Sequence, residues 1–123
     1  MKKVFLVILI LSSFVACKNE PADADRFKEG VFEIPEGKGY SKTIITRIDT
    51  LQIEQYENKV DTLLIEWKNN FNYTLKMMHP KNAIDKELIH VKITSVKDNS
   101  YEFESVIGRS NFVSKGELIK ISN

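Results

Sequence analysis

Side chains able to do chemistry are few and scattered along this chain of 123 residues, which holds two histidines and one cysteine. His79 precedes Pro80 in a polar stretch, and His90 alternates with Lys92 and Thr94. A zinc centre needs three or four ligands converging on one point, and two separated histidines with no second thiol do not supply them. Solvated histidines follow, with no metal and no cofactor. Glu102 and Glu104 stand two apart, a spacing that puts both on one face of a strand. A glycosidase pair needs a cleft between its carboxylates and a platform for sugar; this spacing describes the wet side of a sheet. Ser110 and Ser114 sit in no nucleophile motif, and the glycines are isolated, so neither acyl transfer nor phosphate cradling is indicated. The expectation is a protein that is not an enzyme.

Cys17 carries the strongest local signal. Residues 1–16 read MKKVFLVILILSSFVA, with two lysines, an apolar run and small residues before the cysteine. That is the three-part pattern of an export signal, too short for a stable transmembrane helix. Phe14-Val15-Ala16-Cys17 resembles the lipobox of bacterial lipoproteins, although Phe14 stands where Leu is commoner. The resemblance implies cleavage before Cys17, a diacylglycerol thioether on its sulfur and acylation of the new amino group. Two or three acyl chains hold a protein on a membrane, at about 0.8 kcal/mol per buried methylene. Residues 17–26 then read as lipidated cysteine and flexible tether, and residues 27–123 as one β domain. Localisation follows as the cell envelope, an outer-membrane lipoprotein with the leaflet undecided, since Lys18-Asn19-Glu20 matches a surface-export signal only in part. With Lys2 and Lys3 removed, the formal charge of +1 becomes −1, and acidic and basic residues interleave. No basic stripe for nucleic acid remains.

Beyond residue 26 the pattern is strand, turn, strand. Leu63, Ile65 and Trp67 alternate with polar residues, as do Phe71, Tyr73, Leu75 and Met77, with Lys68-Asn69-Asn70 between the two runs. A three-residue loop pairs Trp67 with Phe71, Ile65 with Tyr73 and Leu63 with Leu75, and asks Asn70 for a left-handed conformation. Phe27 to Ile34 reads as the first strand. Tyr40 to Ile48 and Leu51 to Tyr56 form a hairpin around Asp49-Thr50, with Ile48 facing Leu51 and Arg47 beside Gln52 and Glu54 as a surface polar cluster. His79 to Glu87 is a loop with one helical turn. Leu88 to Lys97 and Tyr101 to Ile107 pair around Asp98-Asn99-Ser100, and Asn111 to Ile121 ends the chain, broken or bulged at Lys115-Gly116.

About eight sequential strands with short connections favour an all-β, antiparallel up-and-down meander closed into a small lipocalin-like barrel. A curved open sheet or small sandwich is the alternative. The interior is expected to be filled by Trp67, Phe71, Tyr73, Phe103 and Phe112, or, if hollow, lined by Trp67, Tyr73 and Phe103.

Phe27 to Phe32, Ile45 to Glu54, Ile65-Glu66-Trp67 and Tyr73-Thr74-Leu75 together resemble the landmarks of a family of short lipoproteins from flavobacteria and related Bacteroidetes. The likeness spans nearly all of the chain after Cys17. Members often carry Cys near the position of Phe71, so no thiol role transfers. The resemblance implies no established activity; a topoisomerase-type name carried by some members has no support in one small domain. Asp49-Thr50-Leu51 and Asp61-Thr62-Leu63 resemble the acceptor that this bacterial group O-glycosylates, marking Thr50 in a turn and Thr62 in a strand. The function expected is a membrane-anchored binding or scaffolding module for another envelope protein. Its alternative is a small carrier of an apolar ligand, which would need an interior of at least ~300 Å³.

Overall fold

Apolar and polar side chains alternate through the segments after residue 29, the period that puts one side chain in and the next out. The computed structural model, described over residues 24–123, turns that alternation into eight strands. They are β1 (Gly30–Ile34), β2 (Thr43–Ile48), β3 (Leu51–Tyr56), β4 (Lys59–Asn69), β5 (Asn72–Met77), β6 (Ile89–Val96), β7 (Ser100–Ile107) and β8 (Ser114–Ser122). Each is antiparallel to the next and β8 returns to β1, so the sheet is a closed up-and-down barrel with no unpaired edge. Two 3-10 turns, Ala24–Phe27 and Ile84–Lys86, are the helical structure among the described residues.

The two ends of the barrel differ. Residues 49–50, 70–71 and 97–99 join β2 to β3, β4 to β5 and β6 to β7, and make a short-looped base. Residues 35–42, 57–58, 78–88 and 108–113 make the opposite end, the mouth. Ala24–Phe27 lies across the base, where Arg26 donates to the carbonyls of Asp98 (2.9 Å) and Lys97 (2.5 Å). Lys28 reaches Asn70 Oδ1 at 3.3 Å, and Lys120 Nζ donates to the Arg26 carbonyl at 2.6 Å. Ala24 and Phe27 are fully buried beneath them. Residues 24–26, expected to belong to a flexible tether, instead form a 3-10 turn with Phe27, because Ala24 and Phe27 have the open base to fill.

Inward positions bury Phe32, Ile45, Leu63, Ile65, Tyr73, Leu75, Val91, Ile93, Tyr101 and Leu118 in one core. Gly116 faces Phe103 across β7 and β8, and a Cβ there would lie 2.8 Å from the ring. The β7–β8 ladder runs through Lys115 and Gly116 in register, so the strand is neither broken nor bulged there, against expectation; the glycine makes room for the ring. Gly30 opens β1 at φ +125°, where a Cβ would meet the Ser122 carbonyl at 2.7 Å. Only glycine fits this seam of the barrel.

Further expectations are corrected. The central hairpin pairs Trp67 with Tyr73, Ile65 with Leu75 and Leu63 with Met77, shifted by two residues from the expected register. A shift of two preserves the faces. Its cause is local: the ladder is irregular between Trp67 and Asn69, and Asn69 Oδ1 accepts from Phe71 N (2.8 Å) and Asn72 Nδ2 (3.0 Å). That side-chain turn leaves Phe71 exposed, and Asn70 is not left-handed; among described non-glycine residues only Asp49 and Glu57 have positive φ. Phe112, expected inside, is 73% exposed because β8 starts at Ser114 and leaves it in the mouth loop. Arg47, expected on the surface, is 2% exposed and points into the barrel with Gln52 at 1%.

Candidate functional site

Arg47 organises the base half of the interior. It sits on β2 opposite Gly30 of β1 and Gln52 of β3, so its side chain enters beneath the Ala24–Phe27 turn. Nη1 donates to the Phe27 carbonyl (2.8 Å), Nη2 to the hydroxyls of Tyr73 and Tyr101 (2.9 Å each), and Nε to Gln52 Oε1 (2.8 Å). The two tyrosine oxygens are 2.7 Å apart. Rings of Phe32, Tyr73, Trp67 and Tyr101 surround the guanidinium, with centroids 4.9 to 6.0 Å from Cζ. A buried cation is costly unless its donors are used and its charge is met. Here burial works against the charge, while the two phenol oxygens raise the guanidinium above its ordinary range. Burial also pushes the Tyr101 phenol well up, so it stays a hydroxyl. Trp67 and Tyr73, 4.6 Å apart, belong to this cage.

The polar chain continues towards the mouth. Gln52 Nε2 donates to Glu54 Oε2 at 2.7 Å. Burial pushes the Glu54 carboxyl above its ordinary value; the Gln52 donor and Arg47 oppose this, and Asp61 adds to it. Beside these three residues the barrel leaves a cavity of about 170 Å³, walled by Ile34, Ile45, Leu75, Ile89, Val91, Phe103 and Leu118, with Tyr73 and Ser105 also on its lining. A second hollow of about 220 Å³ shares Ile89 and Ser105 with it and leads past Ile107 to Phe112. A cleft lined by Ile84, Glu87, Ile107, Arg109 and Ser110 continues outward between the two long mouth loops. Across the mouth, Tyr56 donates to Asp61 Oδ2 at 2.8 Å, and that bond helps hold its phenol up at about 12.

Of the three expected lining residues, Tyr73 and Phe103 reach the cavity and Trp67 does not. Thr50 is exposed in the β2–β3 turn. Thr62 is half-buried on β4 opposite Ile53, on the outward face. Cys17, the expected signal segment and the expected tether up to residue 23 lie outside the described residues. His79 and His90 are exposed, and no group of three or more His, Cys, Asp or Glu able to hold a metal occurs among the described residues. Glu102 and Glu104 stand outside the barrel beside Lys97 (3.5 Å) and Lys115 (3.9 Å). The arrangement offers shape and hydrogen bonds: a closed base, a small cavity with a polar edge, and an apolar rim of Ile84, Ile107, Phe112 and Val113. Sequence reasoning missed the inward turn of Arg47, Gln52 and Glu54, and the plug of Ala24 and Phe27.

Comparison with models of known protein families, with curated proteins and with solved structures finds no match.

Proposed function

We propose that this chain is a membrane-anchored, non-enzymatic lipoprotein of the bacterial envelope whose barrel is a binding module, with the mouth as its recognition end. The observation that carries this reading is the placement of exposed apolar side chains. Phe112 is 73% and Ile84 66% exposed on the mouth loops, Val113, Leu88 and Met78 are exposed on the same loops, and Ile107 is exposed at the mouth end of β7. Such a rim has little to gain from water, and contiguous exposed apolar surface marks interaction sites. The alternative, a small carrier of an apolar ligand, is favoured less, since the inner cavity of about 170 Å³ is below the ~300 Å³ at which sites for drug-sized ligands start.

The anchor gives the mouth its direction. Ala24 lies at the base, and the chain from Cys17 to Ala24 spans at most ~25 Å when fully extended. A lipid on Cys17 therefore keeps the base near the membrane and turns the rim towards another envelope protein. The test uses the full chain produced in a bacterial host that lipidates exported proteins. Intact mass should show a lipid-modified Cys17, and Cys17→Ser should move the protein from membrane to soluble fraction. Membrane retention of Cys17→Ser with an unmodified wild-type thiol would remove the anchor from the reading.

A further inference from the structure

Small closed barrels are filled by their own side chains, yet this one leaves about 170 Å³ open beside a buried polar edge. An engineered apolar cavity of about 150 Å³ admits benzene, so a single ring fits a space of this size. The polar edge is built with a fixed sense. Arg47 Nε can only donate, so the atom of Gln52 facing it is the oxygen, and the amide nitrogen is thereby turned to Glu54. Gln52 has two N–H groups and spends one on Glu54 Oε2. Its second N–H, and Glu54 Oε1, have no protein partner among the described residues. Gln52 is 1% exposed, and a buried donor left without a partner calls for an occupant.

We propose that the cavity is a binding site for a neutral, single-ring molecule carrying a carboxamide or a similar donor–acceptor edge. Its carbonyl accepts from the free N–H of Gln52 and its N–H donates to Glu54 Oε1. The ring lies against Ile45, Leu75, Val91 and Phe103. Arg47 is a positioning residue that holds Gln52 in the required orientation. The hollow through Ile89 and Ser105 to Phe112 is the way in. This site goes beyond the docking reading of the mouth: it is built from inward residues and shares with the rim only its entrance, at Ile107 and Phe112.

The test is an NMR titration of the full chain in detergent, labelled at its methyl groups, with benzamide as probe and benzene and benzoate in parallel. Benzamide should bind saturably, give nuclear Overhauser contacts to methyls of Val91 and Leu75, and bind on the order of tenfold tighter than benzene. Benzoate should bind more weakly than benzamide, since its carboxylate has no N–H for Glu54. Val91→Phe should abolish the contacts. If that variant does not fold, Ser105→Leu at the cavity entrance should weaken them, and the wild-type contacts decide the matter without any variant. Equal binding of benzene and benzamide would overturn the polar edge. Absence of contacts to Val91 and Leu75 at millimolar probe would overturn the site, leaving a hydrated cavity only.

Discussion

Arg47 and Glu54 give the sharpest tests at the level of single residues. Arg47→Ala removes the side-chain donor from the Phe27 carbonyl and from Gln52 Oε1 and leaves the two tyrosine hydroxyls only each other in a closed interior, and each unpaired buried group costs about 1–3 kcal/mol. A loss of about 4 kcal/mol in chemical denaturation is expected, and Arg47→Lys should recover part of it. Glu54 acts in the opposite direction. Its folded pKa lies above the ordinary 4.5, so the folded state holds the proton more tightly than the unfolded chain. Unfolding is then favoured as pH rises from 4.5 through the folded pKa, and stability present below 4.5 is lost above it. Glu54→Gln should be more stable than wild type at neutral pH, with the difference vanishing below pH 4.5. A wild-type advantage at neutral pH would show that Glu54 is not penalised by burial. Neither residue was legible as inward-facing from its own strands, because β2 and β3 carry Ile44, Ile48, Leu51 and Ile53 on the outward face. Register held the answer. Pairing Tyr56 with Lys59 across the turn at Glu57 and Asn58 places Gln52 opposite Leu63, and Leu63 had to face the core.

Among the elements, the hairpins were readable, and so was the β2–β3 register with Ile48 opposite Leu51, but the register of the central hairpin was not. Alternation fixed which side chains share a face, and Leu63, Ile65, Trp67, Tyr73, Leu75 and Met77 do share one. The bulge beside Lys68 depends on the Asn69 side chain capturing two donors, which period-two patterning does not encode. Ala24–Phe27 was missed for a different reason: its four residues carry no period at all, and only the open base explains their burial. The β7–β8 pair yields a prediction of its own. Gly116→Ala pushes a Cβ to 2.8 Å from the Phe103 ring, inside contact distance. It should cost about 1–3 kcal/mol by thermal or chemical denaturation. The double variant Gly116→Ala, Phe103→Leu should regain a measurable part; strict additivity of the two losses would mean that the ring is not what excludes the methyl.

For the whole molecule, the strand count, sequential order and short turns led directly to a closed barrel, since closure removes the edges that eight meandering strands would otherwise expose. What the sequence did not disclose was polarity: a base plugged by Phe27 over Arg47, and a mouth whose loops expose Phe112 and Ile84. Both loop residues look like core residues by type, and only their place beyond the strand ends puts them in water. That polarity is the basis of the proposed binding role. The most direct measurement is photo-crosslinking in living cells with a photoreactive residue at Phe112 in the mouth or at Phe71 in the base turn. Both positions are exposed, so reach alone does not separate them. The account predicts one dominant crosslinked envelope protein from position 112 and none from 71. The same product from both positions, or a product from 71 alone, would contradict the mouth as the recognition end.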